Sequence, residues 1–179
     1  MGFTFLSGLS KPLSQFLIFA IMVIIFGMSS LFIGVLIPKE WYKYDKFPFA
    51  SYKWEKDGTI YAKLGVHYWK DSMPDASKIF KPMFKKKLDM PRNPEKIKQL
   101  LLEMCNSEVV HATLTAISPV FLITMDDWYG VAAAIIYFYV NLMYTMIQRY
   151  NRPRMLALLR RMEERKKEVV TYAYRDNTV

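Results

Sequence analysis

Glu108 and His111 stand three residues apart at the start of a long apolar run, "NSEVVHATLTAISPVFLI". On a helix these two side chains would share one face. A carboxylate beside an imidazole can hold its tautomer and strengthen it as a general base, which activation of a hydroxyl for acyl transfer requires. The alternative is a pair of interfacial side chains that reach the lipid headgroups, although ionisable residues at a span are functional by default. We therefore take His111 as the candidate base and Glu108 as its orienting partner.

The same Glu-x-x-His spacing also supplies ligands in di-iron helical bundles. Those sites need the motif twice, together with two further glutamates, and the motif occurs once here. The chain has no glycine-rich loop for a nucleotide cofactor. We therefore predict no bound metal and no bound cofactor. Cys105, one turn earlier, could carry an acyl thioester, but an isolated cysteine is more often a small buried side chain.

A second polar cluster lies in "HYWKDSMPDA", residues 67–76. It offers Trp69, Lys70, Asp71 and Asp75 as candidates for substrate binding. His67 would be a second base or a solvated surface histidine. The alternative for the whole cluster is an exposed turn.

A third polar cluster, "QRYNRPRM", directly follows the last apolar run. It offers Arg149, Asn151, Arg152 and Arg154. Guanidinium groups bind phosphate or carboxylate in a bidentate manner. The alternative is contact between basic residues and lipid headgroups at the end of a span.

The segments that must position these clusters are apolar. The chain has 179 residues and is 53% hydrophobic. Runs at about 14–37, 109–125 and 128–148 contain no Asp, Glu, Lys or Arg, and a spanning helix needs about 20 residues. The first run is too long for an ordinary signal peptide and lacks a small-residue cleavage site, so we expect a retained anchor. The sequence predicts an all-α integral membrane protein, a single domain over 1–179 with three transmembrane helices.

Basic residues set the expected orientation, because Lys and Arg collect on the cytoplasmic side of membrane spans. Of 25 Lys and Arg, one precedes the first span, 15 lie in residues 38–108 and nine follow residue 148. We therefore expect an external N-terminus, with segment 38–108 and tail 149–179 in the cytoplasm. Topology accounts for the net charge of +9, which argues against a nucleic-acid partner. It would also gather the three polar clusters at one membrane face.

Shorter cytoplasmic elements are also predicted. An Asp57-Gly58 turn signal between aromatic and β-branched residues predicts a short β-hairpin within 49–70. Residues 75–90 alternate apolar and basic side chains, which is typical of an interfacial segment. Asn93 and Pro94 predict a helix start.

That helix is expected to run into the second span and to kink near Pro119. After the third span, one stripe of apolar residues predicts an amphipathic helix on the inner leaflet. The stripe consists of Met155, Leu158, Leu159 and Met162. Residues 175–179 are expected to be disordered.

The pieces "WKDSMPDA", "SEVVHA" and "QRYNRPR", in this order with spans between them, resemble the glycosyl-4,4'-diaponeurosporenoate acyltransferase family of bacteria. This resemblance implies a membrane enzyme that esterifies a sugar hydroxyl of a lipid-linked glycoside, such as a glycosylated carotenoid, with a fatty acyl chain. On that basis His111 would deprotonate the hydroxyl and Glu108 would orient it. Arg152, Arg154 and Lys70 would hold the phosphates of acyl-CoA, or of another acyl donor, or stabilise the oxyanion.

Two other classes of function fit the residues. One is a noncatalytic scaffold or partner subunit whose basic cytoplasmic face binds anionic lipid. Another is methyl transfer to a membrane substrate, for which the absent glycine-rich loop gives no support. The scaffold has no need of an imidazole at the end of a span, so the Glu108–His111 pair favours the acyltransferase.

Overall fold

The computed structural model describes residues 9–74 and 93–176, and these ranges contain helices and no β-strand. The described part of the chain forms six α-helices, in order α1 Lys11–Leu36, α2 Thr59–Lys63, α3 Val66–Trp69, α4 Pro94–Ile117, α5 Phe121–Thr124 and α6 Asp127–Asp176. Single 3-10 turns lie at Lys39–Trp41, Lys53–Glu55, Lys70–Ser72 and Ser118–Val120. The all-α class is therefore confirmed.

Within residues 9–74 and 93–176, three helical segments are long and apolar enough to cross a membrane: Lys11–Ser30, Pro94–Thr124 and Asp127–Glu168. This confirms the number of predicted spans. Asn93 caps α4, since its side-chain oxygen accepts a hydrogen bond from the Glu95 backbone N–H at 2.9 Å. The helix then runs unbroken into the second span and ends at Ile117. The 3-10 turn that follows contains Pro119, which has no N–H with which to continue the α-helical ladder.

The chain folds into two compact units. Unit 1 comprises the N-terminal part up to Trp41 together with Asn106–Thr145. Its core is centred on Phe121, which is fully buried. The ring of Phe121 lies 5.4 Å from that of Phe19, 5.8 Å from that of Phe26 and 5.2 Å from that of Tyr137, measured between centroids. Aromatic pairs at these separations add to the burial of apolar area.

A close approach of backbone at Gly130 forms the corner between α5 and α6. A Cβ atom at this position would lie 2.7 Å from the carbonyl oxygen of Phe121. Any residue other than glycine would therefore require the backbone to shift. The buried Gln15 side chain ties α1 to the same corner. Its oxygen accepts a hydrogen bond from the Asp126 backbone N–H at 3.0 Å, and its NH2 group donates to the Asp126 carboxylate at 3.3 Å.

Unit 2 comprises Tyr42–Cys105 and Met146–Val179. One of its cores contains Ile97, Leu101 and Leu159, with Met155, Leu158 and Met162 packed against them. The predicted apolar stripe of the tail thus packs against protein, and the position of this helix on the inner leaflet stays a prediction. Helix α6 also continues to Asp176, so the disorder expected from residue 175 is wrong for the first two residues. Residues 177–179 and the predicted interfacial segment 75–90 lie outside the described residues.

The hairpin predicted around Asp57–Gly58 is also wrong. The turn signal itself is correct, because Lys56, Asp57 and Gly58 have positive φ angles of 48°, 53° and 82°. The flanking residues form helices instead of strands, since Tyr61 and Val66 pack with Tyr150 in a second core of unit 2. Burial against neighbouring residues overrides β-propensity.

Candidate active site

In unit 1, His111 on α4 pairs with Asn141 on α6. The Nδ1 atom of His111 lies 3.0 Å from Oδ1 of Asn141. The NH2 group of Asn141 donates to the Tyr137 carbonyl oxygen at 2.9 Å, which fixes the orientation of the amide. Its oxygen therefore faces His111 and can only accept. In the neutral imidazole Nδ1 must then carry the proton, and the lone pair lies on Nε2.

Tyr144 stacks on the His111 ring, with centroids 4.5 Å apart and planes 13° from parallel. Stacking and the hydrogen bond to Asn141 together restrict both the position and the rotation of the imidazole. Nε2 of His111 has no hydrogen-bond partner in the part of the chain that the structure describes. The arrangement can accept a proton at one defined atom.

Glu108 lies one turn before His111 on α4 and its residue is only 8% exposed. The hydrogen bond at Nδ1 of His111 goes to Asn141, so an orienting role for Glu108 stays a prediction. Asn141 was missed from the sequence. The signal was present, because Asn141 is a strongly polar side chain inside the third apolar run, and polar groups within spans pack inward and find partners.

In unit 2, Arg149 is held by the loop that precedes α2. Its Nε lies 3.3 Å from the Glu55 carboxylate, and its NH2 atom donates to the Pro48 carbonyl oxygen at 2.9 Å. Glu55 is 1% exposed and also accepts hydrogen bonds from the Tyr61 hydroxyl at 2.5 Å and the Tyr52 backbone N–H at 2.7 Å. The sequence offered Arg149 for substrate binding. Its guanidinium also holds the loop against α6.

Arg152 is 1% exposed, and its NH1 atom donates to the Phe49 carbonyl oxygen at 2.5 Å. Its guanidinium carbon lies 5.5 Å from the centre of the Phe49 ring. A buried arginine in contact with backbone oxygen and an aromatic face stabilises the loop that it contacts.

Two cations flank the ring of Tyr150. The guanidinium carbon of Arg154 lies 3.5 Å from the ring centroid, and Nζ of Lys70 lies 5.7 Å from it. Arg154 is exposed and Lys70 half-buried. The structure thus brings together two residues that the sequence assigned to phosphate binding, and we call them the Tyr150 cation pair.

The remaining predicted binding residues have less distinctive surroundings. Trp69 packs in the core of Tyr61, Val66 and Tyr150, and its indole N–H donates to the Leu64 carbonyl oxygen at 3.3 Å. The other two within the described ranges are the half-buried Asn151 and the exposed Asp71. Asp75 lies outside the described residues.

Unit 2 also contains a cavity of about 330 Å³ between the loop and α6. Both signs of charge line it, together with a hydroxyl and a few apolar groups. The lining residues are Asp45, Phe49, Ala50, Ser51, Glu55, Asp57, Arg149, Arg152, Pro153, Leu156, Ala157 and Arg160. Arg149 and Arg152 are the two predicted residues that reach it. Sequence patterns missed the cavity because its two walls, the loop and α6, are far apart in the chain.

Three helices able to span a membrane, with an oriented imidazole on one of them, define a helical membrane protein with a candidate acid–base site. The chain belongs to the glycosyl-4,4'-diaponeurosporenoate acyltransferase family, whose model matches residues 38–161. This confirms the resemblance found in the sequence. The matched segment contains His111, Asn141 and the whole cavity lining.

Curated relatives agree with this family. The chain is 28% identical over 142 residues to the glycosyl-4,4'-diaponeurosporenoate acyltransferase of Staphylococcus aureus strain MRSA252, a match that covers 74% of this chain and 81% of the relative. The proteins of the same description from strains bovine RF122 / ET3-1 and N315 are 27% identical with the same coverage. No solved structure matches the chain.

Proposed function

We propose that this protein is a membrane acyltransferase that transfers a fatty acyl chain to a sugar hydroxyl of a lipid-linked glycoside, such as a glycosylated carotenoid. The observation that carries the proposal is the His111–Asn141 pair, which leaves the Nε2 lone pair available on an imidazole fixed in position. Family membership supports the reaction class.

In the proposed reaction, Nε2 of His111 takes the proton of the sugar hydroxyl. The oxygen of that hydroxyl attacks the carbonyl carbon of the acyl donor at the same time. A tetrahedral oxyanion forms and collapses to an ester as the bond to the leaving group breaks. With a thioester donor such as acyl-CoA, the departing thiolate takes the proton back from the imidazolium. Asn141 stabilises that imidazolium through Nδ1–H throughout the cycle. General-base catalysis of this kind contributes about 10²–10⁴-fold to the rate.

The two histidines of the chain provide a matched test. His111→Gln removes the base and keeps an uncharged polar side chain, whereas His67→Gln alters an exposed histidine. Membranes containing each variant are incubated with a glycosylated carotenoid and an acyl donor, and the ester is quantified by mass. We expect His111→Gln to lower the rate about 10²-fold or more and His67→Gln to leave it unchanged. Equal rates for both variants would refute His111 as the base, and no ester from the unaltered protein would refute the activity.

The Tyr150 cation pair is the proposed contact for the donor's phosphates. Lys70 and Arg154 place two positive charges near one ring. The NH1 group of Arg154 donates to the Tyr150 carbonyl oxygen, and the other N–H groups of this exposed guanidinium can donate to phosphate oxygens. We expect the double variant Lys70→Gln/Arg154→Gln to have a higher KM for acyl-CoA, and this KM should depend less on salt concentration. KM for the glycoside should stay unchanged. An unchanged KM for acyl-CoA would exclude this contact.

We further propose that the N-terminus is external and the C-terminal tail cytoplasmic. The basic residues that follow the third span support this orientation. Cys105 is fully buried and is the single cysteine, so Cys105→Ser gives a background for labelling. A cysteine at the exposed Thr171 should react with a membrane-impermeant maleimide only after the cells are opened. Labelling of intact cells would reverse the orientation.

A further inference from the structure

The loop that precedes α2 in unit 2 carries two aromatic side chains on its surface. Phe47 is 81% exposed and Trp54 is 58% exposed. The ring of Tyr52 lies between them, with its centroid 6.3 Å from that of Phe47 and 6.2 Å from that of Trp54. We call these three rings the aromatic face. An exposed apolar patch of this kind marks a surface that binds a membrane or another protein.

The backbone that carries the aromatic face is tied to the rest of unit 2. The Tyr52 backbone N–H donates to the Glu55 carboxylate at 2.7 Å, and the NH2 atom of Arg149 on α6 donates to the Pro48 carbonyl oxygen at 2.9 Å. The guanidinium carbon of Arg149 also lies 4.4 Å from the centroid of the Tyr52 ring. The two outer rings are therefore exposed on a loop whose backbone and central ring have defined contacts.

The contact with α6 indicates the depth of this loop relative to the membrane. Residues 128–148 of that helix contain no charged side chain, and Arg149 is the first cation after them. A basic residue that ends an apolar span lies at the membrane–water interface. Because Arg149 is hydrogen-bonded to Pro48, the loop lies at about the same depth. The lipid interface is thus the apolar medium nearest to Phe47 and Trp54.

The charges around the aromatic face are mainly positive. Asp45 and Asp57 are the exposed acidic residues of segment 43–57, and the Glu55 carboxylate is paired with Arg149. Basic side chains near a membrane surface are attracted to anionic lipid headgroups, and aromatic residues together with lysines are typical of interfacial segments. Four exposed lysines lie in the segment: Lys43, Lys46, Lys53 and Lys56.

We propose that this loop is a membrane-surface anchor, in which Phe47 and Trp54 enter the headgroup region of the bilayer and the neighbouring Lys46 and Lys53 bind anionic lipid. On the proposed orientation the loop faces the inner leaflet, which carries anionic lipids. The anchor depends on where the third span ends and not on the reaction that the protein catalyses.

The position of the loop is tested with a fluorescent label on the full chain. In the Cys105→Ser background, Phe47→Cys introduces a single cysteine that is labelled with bimane. The labelled protein is placed in nanodiscs of phosphatidylcholine and phosphatidylglycerol, one chain in each. Lipids brominated next to the headgroup quench a label that touches them. Thr171→Cys carries the control label, at an exposed position of the tail.

We expect brominated lipid to quench the label at position 47 at least about twofold more than the label at position 171. Equal quenching at the two positions would overturn the anchor. Emission typical of a buried label at position 47, without quenching by lipid, would show that protein covers the aromatic face and would also overturn it.

The lysines are tested in the same assay. Lys46→Gln/Lys53→Gln should reduce the quenching at position 47 in nanodiscs that contain phosphatidylglycerol, and should have no effect in phosphatidylcholine alone. Lys166→Gln/Lys167→Gln removes two exposed lysines of the tail and is the matched control, for which quenching should stay the same. Identical quenching in both double variants would refute the contact with anionic lipid.

A second measurement needs no cysteine and applies even if the labelled variant does not fold. Trp54→Phe removes the exposed indole, whereas Trp69→Phe removes one that packs in the core of Tyr61, Val66 and Tyr150. Brominated lipid should quench a smaller share of the tryptophan emission in Trp54→Phe than in the unaltered protein, and a larger share in Trp69→Phe. The same share in both variants would contradict the anchor.

Discussion

Asn141 is expected to act on the reaction only through His111, and this can be measured by removing its amide. Asn141→Leu has a similar volume without hydrogen-bonding groups, so it deletes the acceptor of the Nδ1–H bond without leaving a large cavity at a site that is 4% exposed. A neutral hydrogen bond contributes about 0.5–1.5 kcal/mol. Since about 1.4 kcal/mol corresponds to a tenfold change in rate, kcat should fall about two- to tenfold.

The assay is ester formation in membranes with both substrates saturating, and KM for each substrate should stay the same. Thr145→Val is the matched control, because Thr145 lies one turn further along α6. Its hydroxyl donates to the backbone carbonyl oxygen of Asn141 at 3.2 Å and not to the amide side chain. Its kcat should change by less than about twofold. Elution as a single monodisperse species would show that Asn141→Leu is folded.

A double-mutant cycle tests whether the two residues act as one unit. If Asn141 works by orienting the imidazole, Asn141→Leu has no further effect once His111→Gln is present, since residues of one catalytic unit are strongly non-additive. The same two- to tenfold loss in both backgrounds would show that Asn141 supports the fold or a substrate instead. The reasoning about the His111 tautomer would then be refuted.

Two further predictions concern stability. Arg149→Ala leaves the buried carboxylate of Glu55 without its cation, which should lower the free energy of unfolding by about 3–5 kcal/mol. The midpoint of thermal unfolding should fall accordingly. A midpoint within error of that of the unaltered protein would contradict the ion pair. Gly130→Ala places a Cβ against the Phe121 carbonyl oxygen and should cost about 1–3 kcal/mol. Gly27→Ala, where a Cβ meets nothing within 4 Å, should be neutral, and equal midpoints for the two alanine variants would contradict the close approach.

The spans could be predicted from the sequence because the lipid interior imposes a length and a composition on any single segment. The start of α4 was equally predictable, since Asn93 caps the helix with a local hydrogen bond. His111 was identified because an imidazole in an apolar run is unusual on its own.

The missed features depend on residues far apart in the chain. Asn141 is 30 positions from His111, and the Glu55 carboxylate is 94 positions from Arg149; no pattern in one sequence links them. The hairpin prediction failed for the same reason, because Tyr61 and Val66 become helical through contacts with Tyr150. Local turn chemistry at Gly58 was correct, and the structure of its neighbours depended on a distant helix.

Pro153 lies inside α6, and a proline has no N–H to offer the carbonyl of Arg149 one turn earlier. Gly58 packs against that same stretch, since a Cβ there would lie 3.5 Å from the Arg149 carbonyl oxygen and 3.3 Å from that of Tyr150. A gap in the helix ladder is thus covered by a residue with no side chain. Because Gly58 has no Cβ, the loop approaches α6 at a turn of the helix where a backbone hydrogen bond is missing, and a larger residue at position 58 would hold the two apart.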